Sequence, residues 1–308
     1  MTLSLTRRAA LAGGAALPLA ATITPTRATA QEAQPRSHAR SFALGDFTVT
    51  TLLDGSIPRD GVKDIFGVNV EADTFERVSA ENFIPADMAQ FFFTPTLVDT
   101  GSELVLFDTG LGQGGIAKAL ADAGRTTDEI DVVVITHMHG DHIGGLMTDG
   151  SPTFANARYV TGRAEYDGWK ALPDRGPAKQ MATHVDPLAE KMTFVEDGDS
   201  PVSGITAMAA FGHTPGHMTY MLDSGGSQLV LTADLANHYV WPFQNPDWHT
   251  SFDSDKEAAS ASRRRVLDML AAEKVPMIGY HMPFPAAGFV ETRGDGFRFV
   301  PVSYQMMG

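Results

Sequence analysis

Apolar and polar positions along the chain form short periodic runs broken by glycine, proline and acidic residues. Phe42 to Leu53 alternates around Gly45-Asp46, which predicts two strands joined by a tight turn. Leu97–Thr100 and Leu104–Asp108 read as two more strands, joined at Gly101-Ser102. Ile116–Ala123 predicts a short helix stopped by Gly124. Val132–Ile135 is an unbroken β-branched run, the pattern of a strand buried on both faces. A further helix is expected from His142 onward, and residues 158–195 read as mixed short elements broken at Pro173, Pro177 and Pro187. Ile205–Ala210, Met218–Leu222 and Leu229–Leu231 predict three strands. Ser254-Asp255-Lys256-Glu257 has the form of a capping box, followed by a helical apolar face with Val266, Met269 and Leu270. Met277–Tyr280 predicts a last core strand, and Phe289–Val300 a hairpin turning at Gly294-Asp295-Gly296. Strands and helices alternate in two similar halves with no linker between them. The expectation is one α/β domain over residues 42–308, after a polar leader over 31–41.

The first 30 residues differ in kind. Arg7 and Arg8 precede an Ala/Leu/Gly run from Ala9 to Ala21, and Ala28-Thr29-Ala30 offers small residues for cleavage. This pattern predicts an export signal of the twin-arginine type and a periplasmic or secreted protein. The run is too short for a membrane span, which needs about 20 residues, and Gly13, Gly14 and Pro18 weaken it further. Membrane insertion is therefore not expected.

Charge and cysteine content narrow the chemistry. The 308 residues carry a net charge of −14, and loss of Arg7, Arg8 and Arg27 with the signal would leave 20 basic against 37 acidic residues. Such a surface repels polyphosphate, so a nucleic-acid partner is not expected. With no cysteine in the chain, disulfides, thiolate ligands and a cysteine nucleophile are excluded. Any metal must be held by histidine and carboxylate.

Thr136-His137-Met138-His139-Gly140-Asp141-His142 follows the buried run Val132–Ile135. His137 and His139 can share one direction if the loop is extended, while Asp141 and His142 face a second point. Gly140 permits the bend between them. A lone histidine is commonly structural, but three imidazoles and a carboxylate within six residues make a metal site. One loop cannot fill two coordination spheres. His213 within Gly212-His213-Thr214-Pro215-Gly216-His217, Asp234 after Leu229–Ala233, and His281 after Met277–Tyr280 are further candidates. Each lies at the end of a predicted strand, where sites gather in layered α/β folds.

Together with Asp108-Thr109-Gly110, these segments resemble the metallo-β-lactamase superfamily over residues 97–281. A closer resemblance, to the methyl parathion hydrolase branch, rests on Leu44-Gly45-Asp46-Phe47, Met138 in the metal loop, His281-Met282-Pro283-Phe284-Pro285 and Gly296-Phe297-Arg298-Phe299-Val300-Pro301-Val302. The resemblance implies a four-layer αβ/βα sandwich with its site at one edge. It implies one metal on His137, His139 and His213, another on Asp141, His142 and His281, and Asp234 bridging them. His213 aligns with the family ligand, leaving His217 a supporting or structural role. The donor set suits two divalent ions, zinc first, with manganese, iron or cobalt as alternatives. A hydroxide between the ions would attack a carbonyl or phosphoryl group, with Asp141 orienting it or carrying a proton to the leaving group.

The substrate expectation rests on aromatics near the motifs. Phe91, Phe92, Phe93, Trp169, Trp241, Phe243, Trp248 and Phe252 are candidates for an apolar mouth, with His249 and Asn237 adding polar contacts. Of these, Phe92, Trp169, Asn237, Trp241, His249 and Phe252 are expected to contact a small neutral organic substrate. Superfamily β-lactamases generally lack the bridging carboxylate that Asp234 would supply. Quorum-quenching lactonases carry a tyrosine three residues past it, where this chain has Asn237, with Tyr239 two further on. The expected activity is hydrolysis of lactones or aryl esters, with promiscuous action on phosphotriesters. A dedicated phosphotriesterase and a non-enzymatic periplasmic metal-binding protein are the alternatives, and a homodimer is left open.

Overall fold

The first half of the chain contributes strands β1 (Ala39–Leu44), β2 (Phe47–Leu52), β3 (Gly55–Asp60), β4 (Met88–Phe93), β5 (Thr96–Asp99), β6 (Leu104–Phe107) and β7 (Val132–Ile135). The short pair β8 (Met147–Thr148) and β9 (Ser151–Pro152) follows, then β10 (Arg158–Gly162) and β11 (Met192–Val195). The second half supplies β12 (Ile205–Ala209), β13 (Met218–Ser224), β14 (Ser227–Ala233), β15 (Met277–Gly279), β16 (Ala287–Arg293) and β17 (Gly296–Pro301). The α-helices are α1 (Ala72–Glu81), α2 (Gly115–Asp122), α3 (Gly140–Ile143), α4 (Arg163–Lys170), α5 (Pro177–His184), α6 (Trp241–Gln244) and α7 (Lys256–Glu273). The computed structural model describes residues 37–172 and 177–304. The expected signal over 1–30, the leader up to residue 36 and the break at Pro173 lie outside them.

Two sheets carry the fold, one ordered β1-β2-β5-β6-β7-β10-β11 and the other β12-β13-β14-β15-β16-β17. Period-two alternation explains how they stack. On β7, Val132 and Val134 face the other sheet, sharing a core with Val105, Leu222 and Leu231. Val133 and Ile135 point the opposite way, to Leu120 of α2 and Met181 of α5. β7 is thus buried on both faces, as its β-branched run predicts. Val266, Leu267 and Leu270 of α7 cover the outside of the second sheet. The result is the expected αβ/βα sandwich.

The strand directions gather the candidate ligands. β6, β7 and β10 run parallel, as do β14 and β15. Loops leaving β7, β14 and β15 therefore emerge at one edge, carrying residues 136–142, Asp234 and His281.

Several local expectations are corrected. β1 begins at Ala39 and pairs residue by residue with β2, so the ordered domain starts inside the expected 31–41 leader. The helix expected from His142 is the single turn α3 followed by a 3-10 turn over Gly144–Leu146. The chain is pinned there, because a Cβ on Gly145 would lie 2.1 Å from the Thr109 carbonyl oxygen. Asp255, not Ser254, caps α7, its side chain accepting from the Ala258 N–H at 3.0 Å; such a cap contributes about 1 kcal/mol. Ser254 instead donates to the Gly212 carbonyl. The antiparallel pair β3–β4, whose strands are separated by α1, is absent from the sequence expectation, since β3 is largely exposed and contains Pro58.

Candidate metal centre

Asp108 organises the loop that follows β7. It directly follows β6 with a left-handed φ of 60°, a strained conformation for a non-glycine residue. Its buried carboxylate accepts from the Thr136 N–H at 2.9 Å, the Thr136 hydroxyl at 2.8 Å and His142 Nδ1 at 2.8 Å. Asp108-Thr109-Gly110 thereby fixes both ends of the segment from Thr136 to His142.

The donor atoms fall into two groups. His137, His139, His213 and Asp234 form one, and Asp141, His142 and His281 the other, with the atoms of each within 4.8 Å of one another. Asp234 touches both groups: Oδ1 lies 3.2 Å from His142 Nε2, and Oδ2 lies 3.2 Å from His281 Nε2 and 3.3 Å from His213 Nε2. Ala233, with a φ of 44° beside a register shift in β14, turns this carboxylate inward.

A divalent metal fits these donors. His139 Nδ1 lies 3.1 Å from His137 Nε2 and 3.0 Å from His213 Nε2. Tetrahedral ligands with metal–nitrogen bonds of about 2.05 Å stand roughly 3.3 Å apart. Several imidazoles point their free nitrogens at one spot because the other nitrogen is taken. His137 Nδ1 bonds the Thr136 hydroxyl, His142 Nδ1 the Asp108 carboxylate, His213 Nδ1 the Asp253 carboxylate, and His281 Nδ1 donates to the Phe92 carbonyl. This arrangement fixes tautomer and ring orientation, as in metal sites generally. His142 Nε2 and Asp234 Oδ1 are buried without hydrogen-bond partners. Burial, aided by neighbouring imidazoles, holds His137 and His139 well below the usual histidine range and so neutral, the form that ligates. His217 offers no free nitrogen: Nδ1 donates to the Ala210 carbonyl and Nε2 accepts from the Asp234 N–H, both at 3.1 Å.

Behind His213 lies a buried ion pair. Asp253 takes His213 Nδ1 at 2.9 Å on one oxygen and Arg263 Nη2 at 3.1 Å on the other, and both of its partners are buried. The Arg263 guanidinium also donates to the carbonyls of Leu235, Pro246 and Trp248. In front of the donors opens a cavity of about 430 Å³, in the range of small-molecule sites. Its apolar wall is Ile57, Phe91, Phe93, Leu111 and Phe252; Arg59 and Gln180 are the polar residues beyond the donors themselves.

A family model described as the metallo-β-lactamase superfamily matches residues 94–277, more than half of the chain. The chain belongs to the metallo-β-lactamase superfamily. Within it, the chain is 26% identical over 203 residues to an N-acyl homoserine lactonase of a Bacillus species, covering 58% of this chain and 73% of that one. Among solved structures it is similar to AidC, a dizinc quorum-quenching lactonase in complex with a product, N-hexanoyl-L-homoserine. The TM-score is 0.82 at 27% identity, covering 87% of this chain and 99% of that one. The fold also matches the hydrolase AbOPH of the β-lactamase superfamily, with a TM-score of 0.80 at 22% identity over 88% of this chain and 100% of the other. This protein is a metal-dependent hydrolase of the superfamily, and its two donor groups suit two divalent ions.

The cavity receives few of the side chains expected to touch substrate. Phe252 lines it. Phe92 does not, because alternation along β4 sends Phe91 and Phe93 inward and leaves Phe92 on the other face. Trp169 is buried behind His139, its ring 5.7 Å away and edge-on. Trp241 is core, stacked on Phe75 at 4.8 Å with its N–H on Ser79 Oγ. Asn237 is buried and donates to Asp234 Oδ2 at 2.8 Å. His249 pairs with Glu257 at 3.2 Å, away from the cavity. Phe243 and Trp248 are likewise core residues. Sequence reasoning missed Ile57, Arg59, Leu111 and Gln180 on the wall, and Asp253 and Arg263 behind it. Only Asp253 carried a signal, a carboxylate next to Phe252.

Proposed function

We propose that this protein hydrolyses lactones, N-acyl homoserine lactones first, using two divalent metal ions, with zinc the best match to a nitrogen-rich donor set. The observation that carries the reading is Asp234 joining two donor groups at the floor of a cavity with an apolar wall. When bound, such a pair of ions supplies a water of lowered pKa and a Lewis acid for the ester carbonyl. The protein's own residues do the rest. Phe91, Phe93, Phe252, Ile57 and Leu111 would bury the acyl chain and exclude water. Asp234 holds its position through Asn237 and its own N–H. The Asp141 side chain is 23% exposed and lines the cavity, which suits it to take the proton that the attacking water gives up and pass it to the alkoxide that leaves when the ring opens.

No tyrosine lines the cavity among the described residues. The phenol of Tyr280 donates to the Asp141 carbonyl, and Tyr239 packs on His238. Ring opening here therefore relies on Asp141 rather than on a phenol. A second reading, phosphotriester hydrolysis as in the methyl parathion hydrolase branch, is favoured by the apolar character of the wall, which would accept a neutral triester. Steady-state kinetics on N-hexanoyl homoserine lactone, an aryl ester and methyl parathion test the two. The lactone should have the highest kcat/KM; a preference for methyl parathion would establish the second reading instead.

A further inference from the structure

Glu165 is completely buried, and no cation pairs with it among the described residues. It sits in the first turn of α4, directly after β10, and β10 pairs in parallel with β7. That topology brings its carboxylate between two loops. Oε1 accepts from the Met138 N–H at 2.9 Å and from Trp169 Nε1 at 2.6 Å. Oε2 accepts from the Thr214 hydroxyl at 2.7 Å and the Gly216 N–H at 2.8 Å. Four donors occupy the four acceptor sites of an ionised carboxylate.

The partners share a pattern. Met138 separates His137 from His139, Trp169 packs edge-on against His139, and Thr214 follows His213. All three imidazoles of one donor group are thus adjacent to a group that Glu165 holds. None of Asp141, His142 or His281 is: those are fixed by Asp108, Tyr280 and the Phe92 carbonyl. The contact is also tight. A Cβ on Gly216 would come within 2.0 Å of the Glu165 backbone nitrogen, and one on Gly168 within 2.6 Å of Pro215. Gly216 of the Gly-His-Thr-Pro-Gly-His loop and Gly168 of α4 thus let the two elements approach closely enough for the carboxylate to reach.

We infer that Glu165 is a positioning residue that clamps the two ligand loops together and sets the metal affinity of the His137, His139 and His213 group selectively. The inference rests on the dinuclear reading above. A buried carboxylate without a cation is costly unless every lone pair is filled, so the device is held for what it positions rather than for stability. Glutamine cannot replace it. Whichever way the amide turns, its NH2 meets at least one backbone N–H or indole N–H that also donates.

The test uses the full chain loaded with zinc. Release of both ions to a chelator is followed in time, and the two phases are assigned with His139→Ala and His142→Ala, each of which removes a ligand from one group. Glu165→Gln should speed release from the three-histidine group by about 10- to 100-fold, the size typical of outer-shell partners, and leave the other phase within about twofold. Glu165→Asp, which keeps the charge and all four acceptor sites, should recover part of the loss. Thr214→Val, which removes a single donor, should give a smaller acceleration of the same phase, and it decides the matter if Glu165→Gln does not fold. Equal acceleration of both phases, or of neither, would overturn the inference while leaving the dinuclear reading intact. Wild-type protein that takes up no zinc would overturn the dinuclear reading, and the inference with it.

Discussion

Replacing Asp253 with asparagine separates folding from metal binding, because the carboxylate serves two partners that want different things from it. Arg263 needs an acceptor: it is fully buried, and Asp253 is its carboxylate partner. His213 also needs an acceptor at Nδ1, 2.9 Å away, so that Nε2 keeps a free lone pair. Asparagine has one carbonyl oxygen to offer. Turned toward His213, its NH2 would set a donor against a guanidinium that has already lost its counter-charge, which costs about 3–5 kcal/mol. Turned toward Arg263, its NH2 would donate to His213 Nδ1 and move the imidazole proton to Nε2. Imidazole tautomers differ far less than that, so the second orientation wins. The variant should then keep the hydrogen bond to Arg263 but lose its charge assistance, about 1.5–3 kcal/mol, or a fall in Tm of roughly 3–12 °C for a domain of this size. His213 would be a poor ligand, and affinity at its group should drop about 10- to 100-fold, equivalent to about 1.4–2.7 kcal/mol. Asp253→Ala strands Arg263 outright and should cost about 3–5 kcal/mol in stability. Calorimetry gives the Tm, and metal content after dialysis against a limiting chelator gives the affinity. Asp253→Asn protein with wild-type metal affinity would refute the tautomer argument; a Tm loss as large as that of Asp253→Ala would refute the orientation chosen for the amide.

Three further outcomes are expected. His213→Ala should lose metal and activity, whereas His217→Ala, which breaks two buried hydrogen bonds but removes no metal ligand, should mainly lower stability by about 1–3 kcal/mol; metal content and Tm of both variants check this. Asn237→Leu, which removes the amide holding Asp234 Oδ2, should lower kcat on lactone and phosphotriester alike rather than switch preference between them, as kinetics on both substrates would read. Phe252→Ala widens the cavity wall and should shift kcat/KM toward the phosphotriester by about 1–3 kcal/mol, or about 10- to 200-fold; an unchanged ratio would show that the ring does not discriminate.

The clustering of the candidate metal ligands was legible in the sequence because chemistry and topology agree there. Residue types at spacings of two, four and five from His137, each group at the end of an apolar run, leave few other readings for His137 to His142, Asp234 and His281. The sheets were legible for the same reason, since Val132–Ile135 and its neighbours carry their burial in their composition. The substrate wall was not. Nearness in sequence to a motif does not say which face of a strand points in, and on β4 the expectation fell on Phe92 when Phe91 and Phe93 line the cavity. Trp169 and Trp241 are bulky aromatics whose polar N–H is satisfied inside the protein, so they read as pocket residues while serving as core. Glu165 and Asp253 gave little signal because a lone carboxylate shows its role only when its partners, from 27 to 51 residues away for three of the Glu165 contacts and 40 away for the His213 contact, are brought to it by the fold.

The claim that two ions on these seven donors drive lactone hydrolysis is tested most directly by titrating zinc into protein stripped of metal. Turnover of N-hexanoyl homoserine lactone and bound zinc are measured on the same samples. Activity should stay low through the first equivalent, rise with the second, and plateau at two ions per chain. Full activity at one equivalent, or activity in the stripped protein that a chelator does not abolish, would contradict it.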